Sequence, residues 1–149
     1  MASNLDQNSL DLLKWCDDRL AAVVQAASLV TPFRWRVIQT SRTIEQQRAY
    51  FQAGNSKVNP DAYIGNLPGL YAAAKHITGP GMLKSRAVDV ALVGKEPYHV
   101  PSLCYLAGVI KAIADLQGVP VRWGGDFDRD GMLLEPGTFQ DLPHFEIDA

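Results

Sequence analysis

The chain has 149 residues, 47% hydrophobic and 20% charged, with a formal net charge of −2. That length suits one domain, able to bury roughly 70% of its unfolded surface. No Lys/Arg block marks a nucleic-acid or anionic-membrane binder, and no apolar run approaches the ~20 residues of a membrane span, so neither nucleic-acid binding nor integral membrane association is expected.

Met1 to Asn8 is polar and acidic, unlike a signal peptide. Ser3 or Asn4 is positioned to cap a first helix from Leu5 to Leu29, with Leu10, Leu13, Leu20, Val23, Val24 and Ala27 as its apolar stripe. Pro32 ends it. Trp35 to Thr40 alternates as a strand does. Thr43-Ile44-Glu45-Gln46 is a capping-box pattern opening a helix that stops at Gly54. Ser41 and Arg42 therefore lie in a tight strand-to-helix turn, where a rigid strand aims a side chain. Asn55 to Gly69, rich in Asn, Gly and Pro, reads as a surface loop. Leu70 to Lys75 has no decisive period, and Thr78 to Lys84 is irregular.

Ala87 to Val93 is a buried strand with Asp89 inside it, a costly place for a carboxylate unless it is paired or bound to metal. Pro101 starts a helix running to Gln117 and closed by Gly118. Val119 to Trp123 is a further strand and Gly124 to Gly137 a loop. The last strand, His144 to Ile147, begins after Pro143, with His144 and Glu146 on one face and Phe145 and Ile147 on the other. No internal repeat is visible. The element pattern predicts a single α+β domain over 1–149, a small and largely antiparallel sheet flanked by helices.

Cys16 and Cys104, the only two cysteines, sit in helix-like apolar patterns at a spacing that fits no zinc knuckle or redox pair, and read as free thiols. His99, ahead of the long helix, reads as a capping or surface residue. Three polar residues stand where apolar core is expected: His76, Asp89 and His144. Two histidines and an aspartate suffice to hold Zn²⁺ with a fourth position left for water, although their spacing alone is a weak signal. Asp126, Asp128 and Asp130, followed by Gly131, match the opening of a calcium loop. Gly137 stands where that loop needs a bidentate Glu, so an ordinary Asx-rich turn is the alternative.

Four strings carry a resemblance. Ser41-Arg42-Thr43-Ile44-Glu45-Gln46-Gln47 is similar to an S-x-R-T-x-x-x-Q turn. Lys75-His76-Ile77-Thr78-Gly79, followed by Arg86-Ala87-Val88-Asp89-Val90-Ala91, is similar to S-[KR]-H-x-x-G-x-A-x-D. Arg122-Trp123-Gly124-Gly125-Asp126-Phe127 is similar to a W-G-G-D-[WF] strand end, and Asp141-Leu142-Pro143-His144-Phe145-Glu146 to D-x-x-H-F-E. In this order they resemble the zinc peptidases of the D-Ala-D-Ala carboxypeptidase and L-alanyl-D-glutamate endopeptidase group, to which many phage endolysins belong. The chain departs from that pattern at Pro80 to Ser85, six residues inserted between the first His and the Asp. Such a loop either bulges outward at little entropic cost or distorts or covers the site.

The resemblance implies a hedgehog/D-Ala-D-Ala-peptidase-like fold and a Zn²⁺ site of His76, Asp89 and His144 that activates water and polarises the scissile carbonyl. It implies Asp141 as the general base, Arg42 as a cation for a substrate carboxylate or developing oxyanion, and Gln46 as a further substrate contact. The implied partner is the peptidoglycan stem peptide and the implied enzyme a monomer. It would reside in the host bacterial cytoplasm until lysis and act on the periplasmic wall. A D-Ala-D-Ala carboxypeptidase is the nearest alternative, and a wall-binding module with a disabled metal site is another. No carboxylate pair of a glycosidase is recognisable.

Overall fold

In a computed structural model, residues 4–148 are described. Strands β1 (Trp35–Gln39), β2 (Ala87–Leu92), β3 (Val121–Trp123) and β4 (His144–Ile147) form one sheet in the order β1-β2-β4-β3. Every neighbouring pair is antiparallel, as expected for the α+β class. Because side chains alternate along a strand, the register sorts the sheet into two faces. On one face Val88 and Trp123 lie opposite Phe145, and Val121 lies opposite Ile147. On the other, Asp89 lies opposite His144, while Ala87 and Arg122 lie opposite Glu146. The apolar face is the core.

That face is covered by α1 (Gln7–Leu13), α2 (Asp18–Val30) and α5 (Val100–Gln117), which bury Leu13, Leu20, Val23, Val24, Leu103, Leu106 and Ile110 in one cluster with Val37, Val90 and Phe145. Helix α5 is long and apolar enough by composition to cross a membrane, but here its apolar stripe packs in that core. Gly118 closes it in the left-handed conformation, φ 69°, where a Cβ would be strained.

The single helix expected from Leu5 to Leu29 is two helices. Their apolar stripes are continuous, so periodicity gives no hint of the break. It comes from a partner distant in sequence: Ser85 N donates to Trp15 O and Asp17 N donates to Ser85 O, both at 2.8 Å. Asp17 then restarts the helix, its carboxylate accepting from Arg19 N at 2.9 Å. The first helix is capped by Asp6, which accepts from Ser9 N at 2.8 Å. Asn4 instead donates to Ser28 O, and Ser3 lies outside the described residues.

The segment expected as a loop from Asn55 to Gly69 carries a 3-10 turn, Pro60–Tyr63, and the start of α4 (Leu67–Ala73). The Asn and Pro residues that suggest a loop are N-caps and first-turn prolines. Asn59 accepts from Asp61 N and Asn66 from Gly69 N, with Pro60 and Pro68 inside the first turns. Leu70, Tyr71 and Ile77 form a second, smaller core. The inserted loop closes on itself through paired 2.9 Å bonds between Gly79 and Met82, and Tyr71 Oη donates to Pro80 O. Its end, Ser85, is fastened to the α1–α2 junction, and none of residues 80–85 lines the cleft on the polar face.

Replacing Asp17 by Ala removes the cap and should lower the unfolding free energy by about 1–2 kcal/mol. Urea titration would show this as a lower midpoint at unchanged slope; an unchanged midpoint would contradict the assignment of Asp17 as the cap that restarts the helix.

Candidate active site

The polar face of the sheet is the floor of a cleft of about 390 Å³. Asp89, in the middle of β2, and His144, the first residue of β4, meet as a direct cross-strand pair, Oδ1 to Nδ1 3.0 Å. His76 follows α4 and is fixed by the pairing of Arg42 with Ile77: Arg42 N donates to His76 O at 2.8 Å, and Thr78 N to Arg42 O at 2.9 Å. This brings His76 Nε2 to 3.2 Å from Asp89 Oδ2 and the two imidazole centroids to 5.1 Å. One ligand atom from each of the three residues lies within 4.8 Å of the others. The six-residue insertion leaves the first histidine and the aspartate together.

The hydrogen bonds fix which ring nitrogens face inward. His76 is 4% exposed, and its Nδ1 lies 2.7 Å from Thr40 O. A carbonyl only accepts, so Nδ1 donates to it and Nε2 is the nitrogen that faces inward. That Nε2 is buried, and its 3.2 Å approach to Asp89 Oδ2 lacks hydrogen-bond geometry, an arrangement that a shared cation would satisfy. His144 uses the opposite nitrogen: its Nε2 donates to Glu146 Oε1 at 2.8 Å, leaving Nδ1 toward Asp89. Glu146 is in turn held by Arg122 at 2.7 Å. Both histidines thus have an oriented ring and one inward nitrogen, as metal ligands backed by a carbonyl or carboxylate do. The donor set fits a divalent transition metal.

Electrostatics without an ion follow from the same contacts. Burial disfavours charge on His144, but hydrogen bonds to Asp89 and Glu146 outweigh it and raise its pKa to about 9. Burial likewise works against ionised Asp89, yet the two histidines overcome it and hold the carboxyl far below its ordinary value. Asp141 behaves differently. Burial, and then the negative charge of Asp89, push its carboxyl up, which suits a group that takes and returns a proton.

Asp141 is positioned by Gly124, the residue after β3. Gly124 N donates to His144 O and Asp141 N to Gly124 O, both at 2.8 Å, and His144 N donates to Asp141 O at 3.0 Å. Trp123 Nε1 adds a bond to Leu142 O at 2.8 Å. A Cβ on Gly124 would lie 1.8 Å from Asp141 O, so only glycine allows the two backbones this close.

Arg42 lines the cleft from the turn after β1. It donates to Gln47 Oε1 at 2.7 Å and to Gln39 Oε1, and its guanidinium lies 4.3 Å above the Tyr50 ring. Burial lowers its pKa, partly offset by the charges of Asp89, Tyr50 and Asp141. The side chain of Gln46 is elsewhere. It completes the capping box with Thr43 at the start of α3 (Ile44–Gln52), and it does not line the cleft. Counted along the S-x-R-T-x-x-x-Q pattern, the glutamine falls on Gln47, which is fully buried and donates to Ser56 Oγ and Val58 O. Gln39, Thr40, Gln47 and Glu146 are positioning groups that sequence reasoning left without a role. Only Glu146 carried a signal, sharing the His144 face at i+2.

The other candidates lie outside this cluster. Asp126, Asp128 and Asp130 come within 4.8 Å of one another on the loop beside the cleft, and Glu135 rather than Gly137 is the acid close to them. His99 precedes α5, its Nδ1 2.8 Å from Ser102 Oγ. Cys16 is buried and Cys104 half-buried, both as free thiols.

A family model described as phage L-alanyl-D-glutamate peptidase matches residues 1–147. The chain belongs to that family. The peptidase also matches the crystal structure of the Serratia marcescens L-Ala D-Glu endopeptidase ChiX, with a TM-score of 0.70 at 21% identity. The match covers 98% of this chain and 91% of that one, and shows a shared fold. No curated protein matches the peptidase. Family membership makes it a hydrolase of the bacterial cell wall.

Gly124→Ala should move Asp141 while leaving the three inward-facing residues in place. The expected outcome is a stability loss of about 1–3 kcal/mol and a fall in turnover of roughly 10²-fold, read by denaturation and peptide cleavage. Wild-type turnover in this variant would show that the clamp does not position Asp141.

Proposed function

We propose that the peptidase hydrolyses the L-Ala–D-Glu amide of the peptidoglycan stem peptide with Zn²⁺ held by His76 Nε2, Asp89 and His144 Nδ1. The observation that carries this reading is the convergence of three donors: His76 Nε2 lies 3.2 Å from Asp89 Oδ2 without making a hydrogen bond, and His144 Nδ1 meets the same carboxylate at 3.0 Å. Nitrogen and carboxylate donors in a set of three favour zinc over calcium or magnesium, which prefer oxygen alone. When bound, zinc supplies Lewis acidity toward a carbonyl and toward water.

The chain's own residues do the rest. Asp141 takes the proton of the attacking water and returns it to the amine that leaves from D-Glu, a role supported by its raised pKa and by its place on the cleft wall. Arg42, braced by Gln39 and Gln47, offers a fixed cation to a substrate carboxylate or to the oxyanion as it develops. Glu146 and the Thr40 carbonyl hold the imidazoles in the orientations described above. At the second acidic cluster, Ca²⁺ is the cation that an all-oxygen set would select. A monomer resident in the host cytoplasm until lysis completes the proposal.

Two alternatives are separated by product. A D-Ala-D-Ala carboxypeptidase releases alanine and leaves the wall turbid, whereas endopeptidase cleavage exposes the D-Glu amine. A disabled wall-binding module releases neither, and the absence of residues 80–85 from the cleft lining argues against a blocked site.

His144→Ala and Asp89→Ala should each abolish zinc binding and wall lysis, measured by elemental analysis and turbidity; full lysis by either variant would falsify the proposal. Asp141→Asn should keep its zinc and lose about 10²–10⁴-fold in kcat. Glu146→Gln should stay folded and bind zinc roughly 10–100-fold more weakly in chelator competition; unaltered affinity would remove Glu146 from the site.

A further inference from the structure

Four cations face or border the cleft, and three of them are occupied within the protein. Arg42 is held by two glutamines and the Tyr50 ring. Arg122 is paired with Glu146 at 2.7 Å. Lys57 sits 4.7 Å above the Phe139 ring. Lys75 differs from all three. It is half-buried beside His76 and lines the cleft, yet its ammonium has neither a hydrogen bond nor an ion pair among the described residues.

Its surroundings deepen that imbalance. The charged groups acting on Lys75 are Arg86, Glu146, Arg122 and Asp148. Arg86 is tied to Lys75 through the backbone, Arg86 N donating to Lys75 O at 2.7 Å. Its guanidinium donates only to a carbonyl, Tyr71 O, and its Nε is buried without a partner. Glu146 is already shared between His144 and Arg122, and Asp148 is paired with Arg129. Among the described residues, Lys75 and Arg86 are therefore two half-buried cations with no carboxylate of their own beside the metal-binding residues. Partial burial disfavours the charge on Lys75. An anion brought by the substrate would compensate it.

The stem peptide brings such anions. D-Glu linked through its side chain keeps a free α-carboxylate on the carbon that bears the scissile nitrogen, and the next residue is a diamino acid that carries or lacks a second carboxylate. We propose that Lys75 is a specificity-determining residue that receives a stem-peptide carboxylate, so that the peptidase distinguishes free-acid from amidated stem peptides. This rests on the function proposed above, and Lys75 takes no part in bond breaking. A charge-assisted contact of this kind should be worth about tenfold or more in KM.

The test uses the zinc-loaded full chain and three synthetic stem peptides: one with both carboxylates, one with the D-Glu α-carboxylate amidated, and one whose diamino acid lacks the second carboxylate. Wild type should cleave the first with a KM about tenfold below that of whichever peptide lacks the recognised group, thereby naming the group. Lys75→Met should lose that preference at nearly unchanged kcat and zinc content, and Lys75→Arg should restore most of it. Equal KM for all three peptides with wild type, or a preference that survives in Lys75→Met, would overturn the proposal. So would a Lys75→Met loss shared equally by all three peptides, which marks a purely structural role. Should wild type cleave none of them, the reading of the function fails first and this proposal with it.

Discussion

The cross-strand pair of Asp89 and His144 is the contact on which the rest depends. In an antiparallel sheet, residues directly opposite on one face are held close whatever their chemistry. Here the register places a carboxylate against an imidazole while Val88 and Phe145, one residue along, meet on the opposite face. A shift of one residue would send the charged pair into the core and the valine and phenylalanine into the cleft. Burial of the apolar face therefore enforces the geometry of the polar one. The stability of the sheet and the aim of the site are set by the same alternation.

Around this pair the chain supplies orientation rather than additional charge. Thr40 O and Glu146 each accept the outer N–H of one histidine, and these bonds decide that one ring points inward by Nε2 and the other by Nδ1. Gly124 performs a comparable task for Asp141, allowing three backbone hydrogen bonds to fold the loop from Asp141 to His144 against the end of β3. Asp89 and Asp141 occupy one cleft yet are pushed in opposite directions, the first downward by two imidazoles and the second upward by burial and by Asp89 itself. Two carboxylates with divergent acidity suit the separate binding and proton-transfer roles proposed for them.

The long-range strap from residues 80–85 to the α1–α2 junction also has a consequence for the site. By breaking the first helix and anchoring the insertion there, it fixes the chain immediately before β2. The six additional residues close on themselves through the Gly79–Met82 bonds, and His76 and Asp89 meet despite the longer connection. Stability at Asp17 and geometry at Asp89 are joined through this short segment.

Much of the site was legible in the sequence because its signals are local. Asp89 in an apolar strand, His144 and Glu146 sharing a face, and the capping box that fixes the turn at Arg42 all follow from period and capping rules acting within a few residues. The α+β class and, among the described residues, every α-helix but α4 also arise from such rules, apart from the break between α1 and α2. What the sequence by itself could not determine depends on partners far along the chain. Cys16 pairs with Ser85 and splits one apolar stripe into two helices. Asn59 and Asn66 prove to be caps only once α4 has a small core to pack against. The choice between Gln46 and Gln47 turned on which side chain the capping box had already engaged. The inward nitrogen of each histidine, and the lack of an ion-pair partner for Lys75 among the described residues, exist only after the strands have paired. Hydrogen-bond partners are distributed in three dimensions, and a linear pattern carries no record of them.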